Sequence, residues 1–165
     1  MTLLPRLPHL AMGALLLLHL TLSSDARAEH RLSGAVAGDA SFGFNTRITV
    51  WGGSAALAWT WLPKRNGFEL EARDQWGTAN GVGKHLPGAH LGWTHLWGED
   101  EWRPYSTLGL SLAFIDLVPV LPIPTAEFGA EHAMDKSFLR IGAQGFYVPA
   151  PAAGGGPRIT YGRRF

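Results

Sequence analysis

Histidine, serine and glutamate are the residues of this chain with the chemistry to hydrolyse an acyl bond. Such a reaction needs a hydroxyl nucleophile, a histidine base and a carboxylate that orients the base, all placed together. The candidates are His90 or His95 as the base, Ser106 or Ser111 as the nucleophile, and Glu127 or Glu131 as the carboxylate. Their spacing matches no recognisable pattern of such an enzyme. We therefore predict that the chain has no catalytic site.

Metal-ligand spacing is also absent from the sequence. The chain has no cysteine, and His85, His90 and His95 recur every five residues. On a β-strand an odd spacing places successive residues on opposite faces, so His90 points away from the other two histidines. The sequence therefore predicts neither a metal site nor a cofactor.

Charged residues alternate with apolar residues along several stretches of the chain. In Phe68–Trp76 the odd positions carry Glu69, Glu71, Arg73 and Gln75, whereas the even positions are mainly apolar. The stretches 89–97, 103–114 and 139–147 alternate in a similar way. Segments of about ten residues with this alternation, separated by turn residues, are the signature of a transmembrane β-barrel.

The alternation predicts an all-β fold, an eight-stranded antiparallel up-and-down barrel. No long stretch has the spacing of an amphipathic helix. The predicted strands are 54–62, 67–77, 88–97, 103–114, 124–133, 137–148 and 157–165, with one more inside 30–51, at either 31–38 or 41–51. If the N-terminus and the C-terminus of the barrel domain both lie in the periplasm, the short charged connections near 64–67, 98–101 and 135–136 are periplasmic. The stretches 78–87, 115–123 and 149–156, rich in glycine or proline, are then predicted to be longer external loops.

The same alternation gives the predicted barrel a polar interior. An eight-stranded barrel is just wide enough for side chains to fill it. Unpaired charges there would be costly, so we predict a connected network of ion pairs and hydrogen bonds that plugs the lumen. The predicted members of this lumen network are Glu69, Glu71, Arg73, Arg103, Tyr105, Glu127, Glu131, Arg140 and Arg158.

Aromatic residues recur near the ends of the predicted strands. The residues are Trp59, Trp61, Trp97 and Trp102 near the periplasmic ends, and Trp76 and Tyr147 near the external ends. Aromatic rings with a polar tip favour the headgroup level of a membrane. We predict that these residues form two interfacial girdles against outer-membrane lipid.

The N-terminus has the pattern of a secretory signal peptide. Arg6 gives a positive start, residues 10–22 form an apolar run, and Ala26 and Ala28 supply small residues for cleavage. The apolar run is too short for a membrane-spanning helix. We predict a signal peptide over 1–28, export by the general secretory route, and one barrel domain over 29–165. The formal charge of +1 argues against binding of nucleic acid.

These features resemble small bacterial outer-membrane β-barrel proteins of the eight-stranded kind, over the whole of residues 29–165. The most specific element is the last strand, in which Ile159 and Tyr161 share one face with the C-terminal Phe165. In that family such a strand is similar to the signal that the outer-membrane assembly machinery reads. The resemblance therefore implies this machinery as a partner and the outer membrane of a Gram-negative bacterium as the location. Arg163 departs from the pattern at a usually apolar position, although a long side chain near the membrane edge can reach the headgroups.

The filled interior and the resemblance favour a non-enzymatic, monomeric barrel with a structural or surface-interaction role. A narrow porin-like channel for small solutes is one alternative. A lipid A-modifying hydrolase is another, since some small outer-membrane barrels have such activity. The apolar, proline-rich loop 116–124 is a candidate interaction surface, because exposed apolar patches often mark such sites. The sequence names no ligand or solute.

Overall fold

The computed structural model describes residues 28–43, 49–79, 82–115, 118–119, 122–148 and 152–165, which form strands joined by turns. The strands are β1 Glu29–Gly43, β2 Thr49–Leu62, β3 Asn66–Ala79, β4 Val82–Leu96, β5 Trp102–Ile115, β6 Val118–Pro119, β7 Ile123–Ala133, β8 Ser137–Val148 and β9 Ala152–Arg164. Within the described ranges there is no helix long and apolar enough to cross a membrane. The predicted signal peptide lies outside the described residues, apart from its last residue.

Eight long strands form one antiparallel sheet that closes on itself. Their order around the barrel is β1-β2-β3-β4-β5-β7-β8-β9, and β9 then pairs with β1. The short β6 only extends the end of β5, where Phe114 pairs with Pro119. The prediction of an eight-stranded antiparallel up-and-down barrel is confirmed.

The first and last strands complete the closure. The backbone N–H of Phe165 donates to the carbonyl oxygen of His30 at 2.8 Å, and the N–H of His30 donates back to the carbonyl of Phe165 at 3.4 Å. Pairing between β1 and β9 is interrupted opposite Pro157, because proline has no N–H to donate, and resumes in the same register at Gly155. A closed sheet has no long unpaired edge, which is the condition for strands to lie in hydrocarbon.

The two ends of the barrel differ in their connections. At the end where β1 begins and β9 ends, here called the termini end, the connections are the short segments 63–65, 97–101 and 134–136. The connections at the opposite end, here called the distal end, include residues outside the described ranges. The first strand, for which the sequence allowed two positions, covers Glu29–Gly43, and residues 49–51 belong to β2.

The predicted lengths of two external loops, 78–87 and 149–156, are wrong. β3 continues to Ala79, β4 begins at Val82, and β9 begins at Ala152. β3 and β4 therefore form a hairpin that continues past Gly88, the last residue at which β4 pairs with β5. Pro87 is the next residue beyond Gly88 towards the distal end of the barrel. Its missing N–H suits a position where pairing on one side of a strand stops.

Side chains alternate between the interior and the outer surface along the long strands. On β3 the carboxylates of Glu69 and Glu71 are buried, whereas Phe68 and Leu70 on the other face are about half exposed. The inner face of the barrel is thus polar and charged, and the outer face is apolar. This arrangement is the reverse of that in a water-soluble barrel and matches an outer surface in contact with lipid.

Candidate functional site

The interior of the barrel is the site where the predicted functional residues meet. The structure places every predicted member of the lumen network on an inward-facing position, with its charged or hydroxyl group buried or nearly so. Because inward positions alternate along each strand, carboxylates from β3 and β7 meet arginines from β5, β8 and β9 inside the barrel, either between adjacent strands or across the lumen. The network consists of two clusters, each held together by hydrogen bonds and ion pairs among its own members.

The first cluster lies at the termini end and is centred on Glu131. One carboxylate oxygen of Glu131 accepts hydrogen bonds from Arg31 Nη1 at 2.6 Å and Arg140 Nε at 2.8 Å. The other oxygen accepts from Arg103 Nη2 at 2.7 Å. Arg140 extends the cluster through a second bond, 3.0 Å long, to Glu69. One fully buried carboxylate therefore joins arginines from three different strands.

The second cluster lies nearer the middle of the lumen and is centred on Arg158. Its guanidinium pairs with Glu71 and, at 3.2 Å, with Glu127. Glu71 also accepts a 2.6 Å bond from Arg73, and Glu127 accepts a 2.5 Å bond from the hydroxyl of Tyr105. Each buried carboxylate in this cluster thus has a cationic partner, which is the condition under which buried charges are tolerated.

Arg31 and Phe138 belong to the same interior, and the sequence prediction missed both. The guanidinium carbons of Arg31 and Arg140 lie 4.7 and 5.2 Å from the centroid of the Phe138 ring, within the range of cation–π contacts. The ring occupies space left by Gly162, where a Cβ would come within 2.5 Å of two ring carbons. The alternation of β1 would have identified Arg31 if the position of that strand had been known.

The termini half of the lumen is filled by large side chains. Arg31, Leu62, Leu96, Tyr105, Phe138 and Glu131 are all fully or almost fully buried there. The distal half is lined by smaller inward residues, such as Ser54, Gly88 and Ala113. In the described part of the chain, the interior is therefore filled at one end by an ion-paired plug and lined by smaller side chains at the other.

The candidate catalytic residues are not assembled into a chain of nucleophile, base and carboxylate. Inside the lumen, His90 Nδ1 lies 3.1 Å from Ser111 Oγ, but Glu127 and Glu131 are bonded to Tyr105 and to arginines. His95 and Ser106 are cross-strand neighbours on the outer face, where His95 bonds to Asn66. Among the residues that the structure describes, no carboxylate bonds to either His90 or His95.

Metal-binding residues do not gather in the described part of the chain. No group of three or more His, Cys, Asp or Glu side chains there has the geometry to hold a metal ion. His85 and Asp74 lie 3.5 Å apart, but both are exposed on the outer face of β3 and β4.

The outer surface carries apolar side chains over the middle of the strands and aromatic side chains towards the strand ends. Leu57, Leu91, Leu108, Phe128 and Ile141 belong to the apolar part and are about half exposed or more. The predicted girdle residues Trp59, Trp61, Trp97 and Trp102 lie towards the termini end, and Trp76 and Tyr147 lie towards the distal end. Trp61 stacks against Phe68 with ring centroids 6.4 Å apart.

The C-terminal strand contributes to the same outer surface. Ile159, Tyr161 and Phe165 point outward on β9 and just beyond it, and all are at least half exposed. Arg163 shares this face, with its guanidinium carbon 6.0 Å from the centroid of the Phe165 ring. The charged group therefore lies beside the terminal aromatic ring, at the end of the barrel rather than across its apolar middle.

Comparison with solved structures finds this fold among bacterial outer-membrane proteins. The chain is similar to Neisserial surface protein A (NspA), with a TM-score of 0.60 and 9% identity over 82% of this chain and 97% of that chain. It is similar to the outer membrane enzyme PagL, with a TM-score of 0.52 and 14% identity over 80% of this chain and 97% of that one. The N-terminal β-barrel domain of Pseudomonas aeruginosa OprF gives a TM-score of 0.44 and 15% identity over 81% of this chain and 97% of that domain.

No protein-family model and no curated protein matches the sequence. The fold is nevertheless established by the closed sheet and by the structures that share it. The chain has the eight-stranded barrel fold of small bacterial outer-membrane proteins.

Proposed function

We propose that this protein is a closed outer-membrane barrel with a structural or surface-interaction role, and that its interior holds the barrel together rather than conducting solutes. The observation that carries the proposal is the bonding of three arginines to the fully buried Glu131. These side chains reach into the lumen from β1, β5 and β8 and meet β7 at one level. With Tyr105 and Phe138 they occupy the space that a water-filled pore would need.

The proposed location is the outer membrane, with the termini end in the periplasm. The apolar outer face and the aromatic residues near both ends of the strands support this location. In this orientation Phe165 and its neighbours on β9 are available to the assembly machinery from the periplasmic side. The signal peptide, export by the general secretory route and the monomeric state are part of the same proposal.

The surroundings of the histidines support a non-enzymatic role. Hydrolysis by a hydroxyl nucleophile needs a base that is oriented by a third group. The ring nitrogen Nδ1 of His90 contacts only the hydroxyls of Ser111 and Thr125 among the described residues, and the nearby carboxylates are bonded to the lumen network. This arrangement supports a structural role for His90 better than a hydrolytic one.

Single-channel recording tests the closed interior. We expect the purified barrel in planar lipid bilayers to give no large, stable conductance steps, because a paired and buried network leaves no continuous water path. Insertion is checked in the same preparation by the different migration of heated and unheated protein on gels. Reproducible steps of uniform size from inserted protein would contradict the proposal and favour the narrow channel.

A further inference from the structure

The distal half of the lumen contains a cavity that the ion-paired plug does not fill. Its volume is about 60 Å³, and it is bounded by residues of β3, β4, β5, β7 and β8. A cavity needs roughly 10–15 Å³ to hold a single water molecule, so this one has room for a ligand of a few heavy atoms. This cavity lies on the distal side of the second cluster and shares Arg73 with it.

Among the described residues that line the cavity there is one cation, Arg73, and no carboxylate. Arg73 Nε donates to Glu71, but within the part of the chain that the structure describes no hydrogen bond is made by its two terminal nitrogens. The guanidinium lines the cavity together with the amide of Gln75. A guanidinium with two available N–H groups matches the two oxygens of a carboxylate better than any neutral group.

Two hydroxyls that also line the cavity add a further donor. Ser111 Oγ and Thr125 Oγ1 lie 3.1 and 3.2 Å from the same nitrogen, His90 Nδ1. A single ring nitrogen accepts one hydrogen bond or donates one, so the two hydroxyls cannot both donate to it. At least one hydroxyl therefore does not donate to His90 and can donate to a group inside the cavity.

An apolar wall completes the site. Ile123, Ala113 and the ring of Phe146 line the cavity. The tip of the ring lies against Gly154, where a Cβ would come within 2.4 Å of Phe146 Cζ, so the lack of a side chain at Gly154 makes room for the ring. The cavity thus offers hydrogen-bond donors from Arg73 and from two hydroxyls, together with a short apolar surface.

We propose that this cavity binds a small monocarboxylate of two to four carbons. The carboxylate pairs with the terminal nitrogens of Arg73 and accepts a hydrogen bond from Ser111 or Thr125, and the short alkyl part contacts Phe146 and Ile123. The structural role proposed above for the ion-paired network gives this cavity no function. Binding requires no path through the plug, since the ligand enters and leaves by the distal end.

Titration of the full mature barrel in detergent micelles with propionate tests the proposal, with propionamide as the neutral molecule of the same shape. We expect saturable binding of propionate and at least tenfold weaker binding of propionamide. Arg73→Gln should weaken propionate binding at least tenfold, and Ala113→Leu should abolish it by filling the cavity. Arg65→Gln, which removes a half-exposed arginine at the other end of the barrel, should leave binding unchanged.

A nuclear Overhauser contact between the propionate methyl group and the Phe146 ring in the unmodified protein keeps the test independent of variant folding. We expect this contact to be observed. Equal affinity for propionate and propionamide would overturn the proposal, as would wild-type affinity in folded Arg73→Gln and Ala113→Leu. Saturable binding without the contact to Phe146 would also overturn it, because the ligand would then lie elsewhere.

Discussion

Glu131→Gln is expected to lower the free energy of unfolding of the barrel by about 3–5 kcal/mol, the cost of removing one partner from a buried ion pair. Glutamine keeps the size of the side chain but removes its charge. Arg31 and Arg140 would retain Glu29 and Glu69, whereas Arg103 would lose the one carboxylate that it contacts among the described residues. The loss is large because Glu131 is 0% exposed, so water cannot replace it.

Urea unfolding and refolding in lipid vesicles, followed by tryptophan fluorescence, measures this loss. The matched control is Glu99→Gln, which removes the same charge from an ion pair with Arg65 at the termini end. The side chain of Glu99 is 82% exposed, so its loss should cost at most about 1 kcal/mol. Equal costs for the two variants would show that the lumen network does not stabilise the barrel.

Leu108→Arg is expected to destabilise the barrel in lipid vesicles by about 2–4 kcal/mol, the cost of an arginine facing lipid at the middle of a membrane. Leu108 lies midway along β5, points outward and is 63% exposed. In water such an exposed position would tolerate the change within about 0.5 kcal/mol. The size of the effect therefore reports whether lipid or water surrounds this face.

Tyr147→Arg is the control for Leu108→Arg. Tyr147 also points outward, but it is the penultimate residue of β8 at the distal end. An arginine there can reach the headgroups, so the expected cost falls to about 0–1 kcal/mol. If both substitutions had the same small effect in the vesicle unfolding assay, the outer face would not be in contact with lipid.

The interior could be predicted from the sequence wherever a strand alternates clearly. Along β3, acidic and basic residues at odd positions and mainly apolar residues at even positions favour one orientation of the strand. β1 was harder, since its sequence EHRLSGAVAGDASFG has small residues on both faces and allows more than one placement. For this reason Arg31 was missed, although it bonds to the central carboxylate of the lumen network.

Strand ends were predicted less well, because glycine and proline were interpreted only as signals for loops. In the sequence the dipeptide Asn80-Gly81 is a strong signal for a two-residue hairpin connection, and the described part of β4 begins at Val82, three positions after the end of β3 at Ala79. Asn80 and Gly81 lie outside the described ranges. The apolar stretch 116–124 lies partly outside them as well, so its predicted interaction role stays a prediction.

The individual partners inside the lumen could not be predicted from the sequence. Arg158 and Glu71 are 87 positions apart in the chain, and Arg140 and Glu69 are 71 apart. Such pairs depend on the register of every strand between them and on which side chains reach across the barrel. The alternation predicts which residues face inward, and only the closed structure defines which of them bond.

Cell fractionation combined with gel migration tests most directly that the chain is a closed barrel in the outer membrane. We expect the protein in the outer-membrane fraction, with the unheated sample migrating differently from the heated one, because a sheet without a free edge resists unfolding in detergent. Recovery in the soluble periplasmic fraction, with the same migration before and after heating, would contradict this account.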